Sequence, residues 1–268
     1  MIMASKPAKS SCRKTASSSS PKDPDDIPID TAMVLAAGFG YRMRPITNRI
    51  PKALVQVCGR ALIDYALDRL QNAEIKKTVV NVHYLGEQVE RHLRRRQRPR
   101  IVFSREESLL ETGGGITKAL PLLGERPFFA VNADTLWLNS NECALARLKE
   151  AWNDAKMDAL LLLHHTVDAY GYDGMGDFLV DAVGRVERRP PVEVSPYVFT
   201  GVQILHPRLF EGARVEPFSL NVLYDKAIEN GRLYAIVHDG EWLHVGSPEG
   251  LATAERYMHE RYPGVKRR

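Results

Sequence analysis

The sequence predicts an α/β fold built on a mostly parallel central sheet, with antiparallel strands added late in the chain. Three observations carry this. Short apolar runs alternate with segments of helical spacing over the first half. The first such run ends in a glycine-bearing turn. After residue 163 the pattern changes to short segments separated by Gly and Pro. Alternation of the first kind implies right-handed crossovers between parallel strands, and the second pattern implies hairpin-like additions.

Taken in order, Ala32–Ala37 is a continuous apolar run that reads as a strand covered on both faces. Ala61–Ala73 has helical spacing at Leu62, Ala66, Leu67 and Leu70. Thr78–Val82 reads as a strand, Gly86–Leu93 as a helix and Arg100–Phe103 as a strand. Ile116–Leu123 predicts a helix, Phe128–Val131 a strand and Glu142–Trp152 a helix. Strands are expected near Leu160–Leu163, Asp177–Asp181, Gly184–Arg188 and Pro196–Leu205. Helices at Asn221–Asn230 and Pro248–Tyr257 enclose strands at Arg232–Val237 and Trp242–Val245. No internal repeat is evident.

The chain has 268 residues, 44% hydrophobic and 26% charged, with a net charge of +4. That suits one globular domain, assigned to residues 31–268. Residues 1–30 carry Lys6, Lys9, Arg13 and Lys14, the run Ser17–Ser20 and several Asp and Pro. They lack the apolar stretch of a signal peptide and read as a disordered tail. Three scattered cysteines, Cys12, Cys58 and Cys143, point away from a disulfide framework and towards a reducing, cytoplasmic setting. No apolar run approaches the ~20 residues that span a bilayer, so no membrane partner is expected. The arginines at 91, 94, 95, 96, 98 and 100 lack interleaved aromatics and continue a helix, so a solvated basic face is expected and no nucleic acid.

The sharpest chemical signal is Leu35-Ala-Ala-Gly-Phe-Gly-Tyr-Arg-Met-Arg-Pro-Ile-Thr, followed by Pro51-Lys-Ala-Leu54. Glycines at a strand's end let a ligand approach the backbone, whose N–H groups can cradle an anion. Arg42 and Arg44 can grip phosphate oxygens, and Lys52 supplies a point charge. A dinucleotide fingerprint is excluded because Met43 stands at the third glycine. A Walker loop is excluded because Gly-Lys-Ser/Thr is missing. A second segment, Leu109-Leu-Glu-Thr-Gly-Gly-Gly-Ile116, offers either a close-approach surface at a helix start or a flexible loop. In Val131-Asn-Ala-Asp134 a strand delivers a carboxylate, which reads as a metal ligand or as a turn residue.

These segments resemble the sugar-1-phosphate nucleotidyltransferases, whose signature is Leu-Ala-Ala-Gly-x-Gly-x-Arg-Met-x-Pro-x-Thr and then Pro-Lys-x-Leu. The resemblance runs from about Ala32 to about Tyr257, and the second segment is most similar to the N-acetylmuramate 1-phosphate uridylyltransferases. It implies a Rossmann-like, three-layer, glycosyltransferase-A-like fold. It implies catalytic roles for Arg42, Lys52 and Asp134. Nucleotide contacts are implied at Ala36, Ala37, Gly38, Gly40, Thr112, Gly113 and Gly114. On the sugar-phosphate side it implies Gly176, Asp177, Glu187, Arg188, Thr200 and Gly201, each of which also reads as a water-facing strand residue. The implied substrates are a nucleoside triphosphate and a sugar 1-phosphate, with UTP and N-acetylmuramate 1-phosphate first, and mannose 1-phosphate with GTP or a heptose phosphate as alternatives. Mg²⁺ is the implied cofactor, with Mn²⁺ as its alternative, held by Asp134. The family's second ligand is the Asp of Trp-x-Asp-x-Gly, and here His244 stands in its place. A nucleotide-sugar-binding regulator without turnover is the competing reading. A monomer is expected, since no assembly domain follows the last helix.

Overall fold

The computed structural model describes residues 28–262. In chain order the elements are β1 (Thr31–Leu35), β2 (Gln56–Val57), β3 (Arg60–Ala61), α1 (Leu62–Asn72), β4 (Lys77–Val82), α2 (Gly86–Leu93) and β5 (Arg100–Arg105). There follow α3 (Glu111–Leu123), β6 (Phe128–Asn132), β7 (Thr135–Leu138), α4 (Ala144–Ala151) and β8 (Ala159–His165). The second half comprises β9 (Phe178–Val180), β10 (Val186–Arg188), β11 (Tyr197–Leu205), α5 (Asn221–Glu229), β12 (Leu233–Val237), β13 (Glu241–His244) and α6 (Pro248–Arg261).

The central sheet has nine strands in the order β10-β9-β11-β6-β1-β4-β5, with β8 paired to β11 and β12 to β8. Strands β6, β1, β4 and β5 run parallel, as the buried apolar runs require. Strand β11 joins antiparallel to β6 and β8, confirming the late change of pattern. One face of the sheet packs on α1, α2 and α4 through Ile63, Leu67, Val89 and Leu145. The other face packs on α3 and α5 through Ile116, Ala119, Leu223 and Tyr224. A third apolar cluster, containing Met43, Leu62, Leu136, Leu243 and Met258, seats α6 on the two-stranded β7–β13 ribbon.

Two expectations are corrected and one strand is added. The domain starts before residue 31: Ile29 is buried in the core, and the Asp30 carbonyl accepts from Lys76 N at 2.8 Å. A buried isoleucine contributes about 1.5–3 kcal/mol, which separates residues 28–30 from a tail. The rest of the predicted tail, residues 1–27, lies outside the described residues. Helix α3 begins at Glu111, five residues before the predicted start, because the glycine run is helical. Asp134 does lie in a turn, and that turn leads directly into β7, a strand absent from the sequence reading. No helix among the described residues is long and apolar enough to cross a membrane.

His238 ends the β8–β12 edge with its backbone N–H on Leu163 O and its ring Nε2 beside Leu138 O at 3.1 Å. Burial, reinforced by nearby His164, pushes its imidazole down to about 4. A folded value below the unfolded ~6.5 means that the unfolded chain takes the proton first. Stability from this group is therefore complete above pH 6.5 and falls by about 3 kcal/mol as pH drops to 4. Denaturant titrations at pH 7 and pH 4.5 should show that His238→Gln loses less stability over this interval than the wild type. Equal losses would contradict the assignment.

Candidate active site

Parallel strands β1 and β6 are neighbours, with Leu35 opposite Asn132, so both release the chain at the same carboxyl edge. Ligands of open parallel sheets bind there. The edge opens into a cleft of about 400 Å³ lined by Ala36, Ala37, Gly38, Gly40, Lys52, Asn81, Glu111, Thr112, Asn132, Asp134 and Ser219. A larger groove of about 1120 Å³ runs along α2, and none of the predicted site residues lines it. A Cβ added at Gly38 would meet nothing within 4 Å, so the space beside this backbone belongs to the cleft. Gly40 is different: it holds a left-handed φ of 67°, and a Cβ there would come within 3.0 Å of Thr47 Cγ2. Thr47 Oγ1 donates to the Gly40 carbonyl at 2.8 Å and fixes the turn.

Lys52 sits in the single helical turn Lys52–Leu54 and its ammonium meets the Asp134 carboxylate at 2.5 Å. Burial would raise the Asp134 carboxyl, but the Lys52 ammonium and its hydrogen bond outweigh that and hold it below the usual carboxylate range. Arg42 is exposed on the turn Tyr41–Met43 and makes no ion pair among the described residues. Its guanidinium is available to an anion. Arg44 is drawn aside, 4.6 Å over the Tyr41 ring.

His244 lies in the β7–β13 ribbon opposite Thr135, the residue that follows Asp134. Its ring packs against Trp242 and Tyr172, with Gly246 so close beneath that an added Cβ would stand 2.1 Å from Nε2. Burial pushes its imidazole below the ordinary histidine range; Asp134 opposes this, and Arg42 and Lys52 add to it. No three His, Cys, Asp or Glu side chains among the described residues gather as a metal-binding set. One carboxylate on the cleft floor with one imidazole nearby suits an ion shared with substrate phosphates, as Mg²⁺ commonly is, and not a cage made of protein alone.

The glycine run requires a correction. Thr112 lines the cleft, but its hydroxyl accepts from Leu220 N at 2.9 Å. Gly113 and Gly114 are buried, and their N–H groups point at Phe218 O at 2.9 and 3.4 Å. An added Cβ at Gly113 would stand 2.2 Å from the Phe218 ring, and one at Gly114 would stand 2.0 Å from Glu216 O. The close approach predicted here is real, but its partner is the protein's own 216–218 segment.

None of the six sugar-side residues lines this cleft. Thr200 Oγ1 donates to Leu162 O at 2.7 Å, and its carbonyl accepts from Thr135 Oγ1 and Trp242 Nε1. Its hydroxyl and its carbonyl are thus satisfied internally. Gly201, at a φ of 83°, marks a bulge in β11 and brings its backbone within reach of Asn132. Gly176 packs under Ser195, and Asp177 accepts from Phe199 N at 2.8 Å. Glu187 is exposed on β10, and Arg188 is held by Asp225 and Asn221 at α5. Sequence reasoning missed Asn81, Asn132, Ser219 and the buried Glu106. The signal for Asn81 was legible: one amide inside the apolar run of β4.

A strand-edge cleft with a glycine-lined wall and a lysine–carboxylate pair, with an exposed arginine on the turn that follows Gly40, defines a nucleotide-handling α/β transferase. The nucleotidyl transferase family matches residues 31–261, and the chain belongs to that family. It is 44% identical over 234 residues to the N-acetylmuramate alpha-1-phosphate uridylyltransferase of Caulobacter vibrioides, covering 85% of this chain and 97% of that protein. Identity is 35% with the protein of the same name from Neisseria meningitidis serogroup B, over 84% of this chain and 96% of that one. A mannose-1-phosphate guanylyltransferase catalytic subunit beta of Danio rerio is 27% identical over 83% of this chain and 62% of its own length. The crystal structure of UDP-glucose pyrophosphorylase with UDP-glucose superposes with a TM-score of 0.70 at 18% identity, over 87% of this chain and 100% of that one. That likeness confirms the three-layer fold.

The two kinds of glycine should separate in experiment. Gly113→Ala drives a methyl into the Phe218 ring and should lower stability by about 1–3 kcal/mol. Gly38→Ala should keep the wild-type thermal midpoint and weaken nucleotide binding. The reverse pattern in thermal melts and nucleotide titrations would reassign both.

Proposed function

We propose that this chain transfers a uridylyl group from UTP to N-acetylmuramate 1-phosphate, releasing pyrophosphate. The observation that carries the chemistry is the Lys52–Asp134 pair on the cleft floor beside Gly38 and Asn132. The two N-acetylmuramate relatives, matched over nearly their whole lengths, support the choice of substrates.

A phosphate oxygen of the sugar 1-phosphate attacks the α-phosphorus in line. One P–O bond forms, the α–β bridging bond breaks, and pyrophosphate leaves with the electron pair. Transfer of this kind needs positioning and charge, and no covalent enzyme intermediate. The backbone at Ala36–Gly40 lies along the nucleotide's path. Lys52 and Arg42 offset charge building on the transferring group. Asp134, with His244 as second ligand, would hold Mg²⁺ or Mn²⁺, which when bound neutralises triphosphate oxygens. His244 in place of a carboxylate lowers the negative charge at that site and gives it a softer donor.

Pyrophosphate release should be measured for UTP and GTP crossed with N-acetylmuramate, mannose and heptose 1-phosphates. UTP with the N-acetylmuramate ester should give the highest kcat/KM. A preference for GTP with mannose 1-phosphate would replace this reading, and binding without release for every pair would favour a regulator. In the preferred pair, Lys52→Ala and Arg42→Ala should each cost about 10²–10³ in kcat. Asp134→Asn should abolish the response to added Mg²⁺.

A further inference from the structure

Two walls of the cleft are joined by a chain of buried polar atoms that the transfer chemistry does not use. Ala36 N–H, in the first wall, donates to Asn81 Oδ1 at 2.8 Å. Asn81 Nδ2 donates to Glu106 Oε1 at 2.7 Å. The other oxygen, Glu106 Oε2, accepts from Leu110 N–H at 2.9 Å. Leu109, Glu111 and Thr112, on either side of Leu110, line the opposite wall. Asn81 and Glu106 are 2% and 5% exposed, so no water substitutes for a lost partner.

The relay is fixed from every side. Glu106 N donates to Val82 O and its carbonyl meets His83 Nδ1, both at 2.9 Å, which ties its backbone to the end of β4. A Cβ at Gly115 would stand 2.7 Å from Glu106 Oε1 and 2.9 Å from Asn81 Nδ2, so the third glycine of the run leaves room for the relay. Next to Leu110, Glu111 holds a left-handed φ of 56°, a strained conformation for a residue with a side chain. The Leu110 N–H bond anchors that turn.

We infer that Glu106 and Asn81 are positioning residues that set the separation of the two nucleotide-binding walls, and through it affinity for the nucleoside triphosphate. The inference rests on the reading that this cleft holds that substrate. Both ends of the relay are N–H donors, so its middle must present one acceptor-only group and one amide. The order of those two groups is free. Glu106→Gln alone sets a donor against a donor in either amide orientation. Asn81→Asp alone sets two carboxylates face to face. In the double variant Asn81→Asp/Glu106→Gln, the carboxylate at 81 accepts from Ala36 N–H and from the amide at 106. That amide's oxygen then accepts from Leu110 N–H.

The test measures UTP affinity by equilibrium titration, KM for each substrate, and thermal midpoints. Each single variant should weaken UTP binding about ten- to a hundredfold, as a buried unsatisfied group predicts. KM for the sugar 1-phosphate should stay within about twofold, because the relay does not reach β9–β11. The double variant should regain UTP affinity to within about threefold of wild type. A double variant no better than the singles overturns the inference, as do two KM values rising together or a lowered midpoint with unchanged UTP affinity. If a single variant fails to fold, the double variant decides: recovered affinity supports the relay and lost affinity overturns it. A wild-type protein that binds no nucleoside triphosphate overturns the functional reading as well, whereas wild-type binding with unaffected variants overturns the relay alone.

Discussion

The arrangement depends on one ion pair, the Lys52 ammonium against the Asp134 carboxylate, which closes the cleft floor between segments 82 residues apart. Without the cation, the main offset to the burial of the Asp134 charge would be gone, and that charge would be open to another cation. Without the carboxylate, the ammonium would stand unpaired in a half-closed site. Both side chains remain partly accessible, 14% and 34%, so the pair is screened and can be exchanged for substrate charge. That exchangeability, more than any stability it adds, is its use. A phosphate competes for the ammonium and a metal competes for the carboxylate.

Holding such a pair ready requires stiff surroundings, and the chain supplies them by close backbone approach. Gly201 brings β11 against Asn132, two residues before Asp134. Thr135 and Trp242 both bind the Thr200 carbonyl, so the β7–β13 ribbon and the central sheet share one anchor. Gly113 and Gly114 let α3 lie directly on the 216–218 segment. Each contact fixes an element that carries a cleft residue, and none reaches into the cleft.

Much of this was legible in the sequence for physical reasons. The continuous apolar run Ala32–Leu35 fits a sheet covered on both faces, and that is where it lies. The loop from Gly38 to Lys52 was legible because strand, glycines and cations fall within one short segment. The helical character of residues 111–115 was not, because glycine disfavours a helix locally and only the packing of Phe218 overrides it. The internal partners of Thr200 and Arg188 were hidden for a related reason. A polar side chain on a strand reads alike whether its partner is a ligand, Leu162 O or Asp225, and only the tertiary structure distinguishes them. Glu106 escaped notice because a carboxylate beside Arg105 and Glu107 looks like surface, although it is 5% exposed.

If Lys52 holds Asp134 in reserve, it must compete with a divalent cation before any nucleotide arrives. Titrating Mg²⁺ into nucleotide-free protein by calorimetry, for the wild type and for Lys52→Met, measures this competition directly. Removing the ammonium should tighten Mg²⁺ binding by about tenfold or more, the equivalent of ~1.4 kcal/mol of relieved competition. Equal or weaker Mg²⁺ binding by the variant would contradict the central role given to the pair.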